Sequence, residues 1–217
     1  MKEKKENKKN KYLIVLMFLA SILTICLGVS MAVFNYFGAG TTNNVIQTGR
    51  IIFSYSDADF GSYAGNGVNI TNATPIPDSK GKTLLGTNEY FDFNITATTT
   101  NTDIAYEIVA NKGASSTLEE NKVKIYLTEV SAGNETPTTI TGTTPVPTYA
   151  SLSDTTNSLL SGKTIYYGTV SAGEVAYRKD FRLRMWLSDE NLDTSNTITE
   201  EEKVFTVKVN VAAIGNN

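Results

Sequence analysis

The chain has 217 residues and a formal net charge of −3, with one cysteine and no histidine. Without imidazole it can form neither Ser-His-Asp nor Cys-His catalytic groups, nor the usual zinc sites built on histidine. A lone cysteine, Cys26, excludes an internal disulfide, so packing and strand pairing must supply the stability. The surplus of acidic side chains disfavours nucleic acid as a partner.

The chain begins with a basic segment followed by an apolar one. Six lysines lie among the first eleven residues, no charge occurs from Tyr12 to Phe34, and the apolar run closes on Ser30-Met31-Ala32. This order is typical of an export signal and predicts a signal peptide over residues 1–32, cleaved between Ala32 and Val33. The run is also long enough to span a bilayer, so an uncleaved membrane anchor is the alternative. Either way, the membrane is contacted only through this segment and the rest is secreted or lies on the cell surface.

Residues 33–47 carry no charge and combine apolar side chains with the flexible Gly38-Ala39-Gly40. An extended, uncharged, partly aromatic terminus is suited to adding itself as a strand to the open sheet edge of another copy. We therefore predict a donor strand here, with an edge strand of the chain's own sheet as the alternative. The residues expected to act in assembly are Phe34, Tyr36, Phe37, Val45 and Ile46.

Residues 48–217 read as short alternating runs separated by Gly, Asn, Ser, Thr and Pro, which is typical of an all-β domain. We predict a single β-sandwich of jelly-roll style with seven or eight strands, preceded by the hydrophobic export helix. The runs Phe91–Ala97 and Ile104–Ala110 predict an antiparallel hairpin. The Pro- and Thr-rich stretch Ser131–Thr148 predicts a long surface excursion. Alternating runs at 181–187 and 205–211 predict two more half-buried strands.

The segment from Asp189 to Glu200 places oxygen-bearing side chains at the spacing of a calcium loop. Thr194 stands where the sharp turn of such a loop requires glycine, and strands rather than helices flank the segment. A solvated acidic loop is therefore the favoured interpretation, calcium binding is the alternative, and no other cofactor is expected. The calcium ligands would be Asp189, Asn191, Asp193, Ser195 and Glu200.

Arg178, Arg182 and Arg184 share one face of a predicted strand with Trp186. Such a face could grip an acidic sugar or the carboxylates of a neighbouring subunit, whereas the ordinary alternative is an outward face with cross-strand pairs.

Asp57, Asp59 and Glu89 are candidates for the paired carboxylates of glycoside hydrolysis, but that chemistry needs two carboxylates at a fixed separation across a sugar cleft, which their spacing in the sequence does not establish. We therefore predict that the protein is not an enzyme.

The sequence around the predicted cut resembles the TasA/camelysin family of Gram-positive bacteria. The resemblance lies in Ala32-Val33-Phe34-Asn35 and in the run from Asn43 to Phe53, within about the first 55 residues. It implies an exported β-sandwich, processed by a dedicated signal peptidase, that polymerises with itself into surface or biofilm-matrix fibres. The protease activity described for camelysin-like proteins is not carried over, because this chain has no histidine to hold the metal. The alternative function is a membrane-tethered extracellular module that binds carbohydrate or a surface.

Overall fold

The computed structural model describes Met17 and residues 35–39, 44–48, 51–56, 67–71, 74–86, 89–190 and 203–216. The chain divides into two compact units, Met1–Asn35 and Tyr36–Asn217. Across the described ranges, no helix combines the length and the apolar character needed to cross a membrane. The predicted cleavage site, Ala32 and Val33, lies outside these ranges, as does Phe34.

Strands make up most of the described residues, and helix is almost absent. One short helix, α1, covers Asp78–Gly81, and a 3-10 turn covers Tyr149–Ser151. The strands are β1 (Asn35–Ala39), β2 (Asn44–Thr48), β3 (Ile51–Ser56), β4 (Gly67–Thr71), β5 (Tyr90–Thr99), β6 (Asp103–Lys112), β7 (Val123–Ser131), β8 (Asn134–Pro137), β9 (Lys163–Val170), β10 (Tyr177–Leu187) and β11 (Val204–Asn216).

The strands form two sheets, which confirms the predicted all-β class. Sheet I has the order β1-β11-β6-β9, with β4 also paired to β11, and sheet II has the order β2-β3-β5-β10-β7-β8. Neighbouring strands from β2 to β11 pair antiparallel. The described residues contain more strands than the predicted seven or eight, because strands of four or five residues show too little alternation to stand out.

One apolar core joins the inner faces of the two sheets. Alternate residues of β5, such as Phe93 and Ile95, belong to the same buried cluster as alternate residues of β11, such as Phe205 and Val209. The alternation has this effect because successive side chains of a strand point to opposite faces. The predicted inward faces of the runs at 181–187 and 205–211 are confirmed.

The predicted hairpin between β5 and β6 is wrong. β5 pairs with β3 and β10 in sheet II, whereas β6 pairs with β11 and β9 in sheet I. The connection at 100–102 therefore crosses from one sheet to the other, and the Thr99 hydroxyl donates to the Thr102 carbonyl across it at 2.5 Å. Both strands have an apolar face, and the crossing buries the two faces against the core from opposite sheets.

The stretch Ser131–Thr148 is mostly exposed, as the predicted surface excursion requires, but the expectation that it neither pairs as a strand nor buries side chains is wrong. The stretch contains β8, and it buries Val146 and Thr141. Where the ladder between β7 and β8 ends, Leu127 N donates to the Thr141 hydroxyl at 2.7 Å and Thr138 N donates to Leu127 O at 3.1 Å. These two threonines thus continue the hydrogen bonding along β7 beyond β8, although they are not part of a strand. The composition of the stretch did not indicate this role.

Candidate functional site

The outermost strands of each sheet are where another chain could add, because they present unpaired backbone N–H and C=O groups. In the described part of the chain, sheet II ends at β2 on one side and at β8 on the other. Sheet I ends at β9 on one side and at β1 and β4 on the other. Residues 35–48 therefore contribute an outermost strand to both sheets.

In sheet I, the N-terminal strand lies beside the last strand of the chain. One side of β11 pairs with β6 over residues 207–216, and the opposite side pairs with β4 over residues 204–208. β1 is a further neighbour of β11, and only the stretch beyond residue 208 on the β4 side leaves room for its five residues. Tyr36 and Phe37 lie in this strand.

In sheet II, the N-terminal segment forms a hairpin with β3. Val45 is opposite Ser54 and Ile46 is opposite Phe53, and the pairing runs on to Thr48 opposite Ile51. A single copy of the chain thus has residues 35–39 and 44–48 on its own sheets, the arrangement given above as the alternative to a donor strand. Another copy could supply the same strands only if these residues first left their own sheets.

The other outermost strands are less suited to pairing with another chain. β8 has four residues, all exposed, and ends at Pro137, which cannot donate a backbone hydrogen bond. The beginning of β9 is already occupied, because Thr164 N donates to Ser153 O at 2.9 Å and Thr155 N donates to Gly162 O at 3.0 Å. Short strands, prolines and covering loops are the usual means by which proteins protect sheet edges.

An ionic network joins β5, β10 and β8 on the outer face of sheet II. Arg182 donates to both carboxylate oxygens of Asp92 at 2.7 Å, and Arg184 donates to both oxygens of Glu135 at 2.5 and 2.8 Å. Arg182 also donates to Glu135 at 3.0 Å. The hydrogen bond from Arg184 lowers the pKa of Glu135 to about 2. Arg184 is only 1% exposed, whereas the Glu135 side chain is 26% exposed, so the arginine end of this network is buried and the glutamate end is partly open to solvent.

A second layer covers part of the same outer face. Tyr126 and Trp186 point away from the core, yet both are buried in a small apolar cluster with Val146, Ile76 and Leu84. The layer comes from residues 74–86 and from the stretch before the 3-10 turn.

Hydrogen bonds hold this layer in place. Arg184 Nε donates to Leu84 O at 2.7 Å, and Val146 N donates to the Asp78 carboxylate at 2.9 Å. Trp186 and Arg184 are therefore internal, so the idea that they grip an acidic sugar is wrong. Cross-strand pairing is confirmed for Arg182.

Gly81 lies directly on the Trp186 ring, since a Cβ at this position would be 2.2 Å from the indole carbons. We expect Gly81→Ala to lower the free energy of unfolding by about 1–3 kcal/mol, because the helix must move away from the ring. Urea denaturation followed by tryptophan fluorescence measures this. Ser79→Ala, at an exposed position of the same helix, is the matched control. A Gly81→Ala protein as stable as this control would contradict the contact.

The start of the acidic loop is anchored to sheet II. Lys124 is 2% exposed and donates to Glu190 at 2.6 Å and to Val146 O at 2.8 Å. Asp189 is half-buried. The other proposed calcium ligands, Asn191, Asp193, Ser195 and Glu200, lie outside the described residues. Within the described ranges, no three acidic, cysteine or histidine side chains are grouped so that they could hold a metal ion.

The sequence analysis missed Asp92, Glu135 and Lys124. Alternation places Asp92 and Lys124 on outward faces, but it gives no sign that either is buried. Glu135 lies in β8, whose four residues show no alternation of apolar and polar side chains. Only the strand order, with β10 between β5 and β7, brings these carboxylates to the arginines.

Comparison with known proteins identifies no family. No protein-family model matches the chain, and no curated protein sequence matches it. A function must therefore be argued from the residues and strands of the chain itself.

Proposed function

We propose that this protein is an exported structural protein that assembles with copies of itself into fibres, at the cell surface or in a biofilm matrix. The observation that supports the proposal best is the position of residues 35–48, which provide an outermost strand to each of the two sheets. We assign residues 48–217 to a β-sandwich of jelly-roll style.

The proposed assembly step is an exchange of identical strands. If residues 35–48 leave their own sheets, backbone groups of β11 and β3 lose their partners, and the same residues of a second copy can satisfy them in the same register. The segment is uncharged, so no ionic contact opposes the exchange. Each copy would give its segment to one neighbour and receive one from another, and such head-to-tail contacts extend into filaments.

The leader fits this proposal. A signal peptidase that cuts after Ala32 would leave the segment at the very start of the exported chain, with nothing attached to hold it back. The resemblance to TasA/camelysin proteins at this cut supports the same processing and the same secreted location. An uncleaved leader would instead tether each copy to a membrane.

Electron microscopy and size-exclusion chromatography test the proposal. Protein starting at Val33 is expected to form fibres, whereas protein starting at Thr48 is expected to remain monomeric. Circular dichroism would verify that the shorter protein still folds.

A second variant tests exchange without removing any residue. Val45 and Ser54 are directly opposite each other in an antiparallel pair, where Cα atoms are about 4.5–5.5 Å apart, within the range that a disulfide spans. We expect Val45→Cys with Ser54→Cys to form fibres when reduced and to stay monomeric when oxidised, because the bond keeps β2 on its own β3. Fibres from the oxidised variant or from the protein starting at Thr48 would refute the strand exchange.

A further inference from the structure

The segment proposed to exchange is joined to the rest of its chain by only two residues. β2 ends at Thr48 and β3 of the same chain begins at Ile51, so Gly49 and Arg50 are the whole connection. The three peptide units between Thr48 and Ile51 span at most about 11 Å. When the segment lies on a neighbouring copy, Ile51 of its own chain must therefore stay within that distance of Thr48.

The β3 strand of the neighbouring copy begins at almost the same place. Thr48 is opposite Ile51 in the antiparallel pair of β2 and β3, and the Cα atoms of such residues are about 5 Å apart. After exchange, the Ile51 residues of the two copies are thus at most about 16 Å apart. A domain of about 170 residues has a radius of gyration of about 15 Å. The two domains therefore meet where β3 begins, and they cannot be lined up by their opposite ends.

Ile51 lies at one end of the strands of sheet II. It is opposite Thr99, the last residue of β5, and Thr99 N donates to Glu174 O at 2.7 Å. Beside it, the Thr98 hydroxyl donates to Val175 O at 3.0 Å. Because neighbouring strands are about 4.8 Å apart, Val175 is about 10 Å from Ile51 of its own chain.

Exposed residues of the crossing after β5 and of the turn between β9 and β10 surround this position. We call them the end surface, and its members are Thr100, Asn101, Ala172, Glu174 and Val175. The turn is fixed to the start of β6, because Ala172 N donates to the Asp103 carboxylate at 2.7 Å. Glu174 carries the one charge of the end surface.

Val175 is the most exposed large apolar side chain in the described ranges, at 73%. Removing such a side chain from water is favourable. The short connection of Gly49 and Arg50 brings a second copy to this end of the sheet, where it can cover the valine.

We propose that the end surface is a contact between copies in the fibre, packed against the end surface of the copy that gives or receives the strands. This proposal rests on the strand exchange described above, and it adds side-chain contacts to the backbone pairing. A surface with one apolar anchor and a single charge suits the centre of a protein interface, where charged residues are depleted. A charged polymer finds little there to attract it.

Thiol labelling tests the contact. The protein starting at Val33 has no cysteine, since Cys26 lies in the leader, so Val175→Cys introduces a single thiol. We expect this thiol to react with a maleimide at least about 10-fold more slowly in fibres than in freshly purified soluble protein, because another copy covers it. The matched control is Leu159→Cys, which is 59% exposed and precedes β9 at its other end. The control thiol should react equally fast in both states.

A charge at the same position gives a second readout. Val175→Asp should slow fibre growth by about 10-fold or more, because the contact would remove a carboxylate from water. Leu159→Asp makes the same change of charge and should grow like the original protein. Since both positions are exposed, both variants should melt at the original temperature, and thermal unfolding verifies this.

The outcomes separate the contact from the exchange. Equal labelling of Val175→Cys in fibres and in soluble protein would overturn the contact and leave the strand exchange standing, as would normal fibre growth of a folded Val175→Asp protein. If Val175→Asp does not fold, the labelling of Val175→Cys decides. If the original protein forms no fibres, the strand exchange fails and the end contact fails with it.

Discussion

Replacing Phe93 by alanine is expected to lower the free energy of unfolding by about 4 kcal/mol. The Phe93 ring is 1% exposed and stacks against Phe91 and Phe181, with ring centroids 5.7 and 5.3 Å away. Those rings belong to neighbouring strands of one sheet and face the other sheet, so the core cannot close over the cavity without moving a strand. The loss is therefore expected near the upper part of the range for large core truncations.

Urea denaturation followed by circular dichroism measures this effect. Leu159→Ala is the matched control, because it also removes apolar atoms but from a side chain that is mostly exposed. It should change stability by less than about 0.5 kcal/mol. A Phe93→Ala loss no larger than that of the control would mean that the core is not packed as described.

Replacing Glu135 by alanine is expected to cost about 3 kcal/mol. Arg184 would keep its hydrogen bond to Leu84 O but lose both carboxylate contacts while remaining buried. Breaking one side of a buried ion pair is costly because it leaves a desolvated charge without compensation. The control is Glu119→Ala, whose exposed contact with Lys122 at 3.9 Å should contribute less than about 1 kcal/mol.

Two further measurements identify the buried charge as the cause. Adding Arg184→Met to the Glu135→Ala protein should recover part of the lost stability, because the unpaired cation is then gone. If Arg184→Met brings no recovery, the effect of Glu135 comes from β8 packing and not from charge.

The dependence on pH provides the second measurement. The pKa of Glu135 falls from 4.5 to about 2 on folding, so the folded state favours the ionised carboxylate. This contribution is fully present above pH 4.5 and is lost as the pH falls toward 2. The stability difference between the original protein and Glu135→Gln should therefore shrink over that interval.

The inward faces of the long strands could be predicted from the sequence because a strand repeats every two residues. β10 and β11 show this well, since Phe181 to Leu187 and Phe205 to Val211 alternate over several residues. The same pattern placed Arg182 and Trp186 on the opposite face correctly. This alternation could not indicate that residues 74–86 would bury the tryptophan, because the sequence of that covering layer has no regular spacing of apolar residues.

Strand partners could not be predicted, since they depend on residues far apart in the chain. The turn after β5 has the length of a hairpin connection, yet it joins two sheets. The inner face also contains polar residues that alternation does not anticipate. Lys179 lies on the inward side of β10 and donates to Glu129 and to the Tyr166 hydroxyl, each at 2.7 Å. These contacts follow from the strand order, which local patterns do not contain.

For the assembly segment, the sequence indicated the tendency to pair but not the partner. Residues 33–47 read as extended and uncharged, which suits any sheet edge. That β1 lies beside β11 and β2 beside β3 follows from the topology of the two sheets.

The place of β11 inside sheet I has a consequence for the order of folding. β11 pairs with β4 and β6, whose residues precede it by about a hundred positions or more, so sheet I cannot form until residues 204–216 have been synthesised. Contacts between such distant residues make folding slow. Throughout that delay, residues 35–39 have no β11 of their own to pair with, whereas a folded neighbour whose own β1 has left its sheet presents one. The topology thus opens an interval during synthesis and export in which capture by another copy competes with self-pairing.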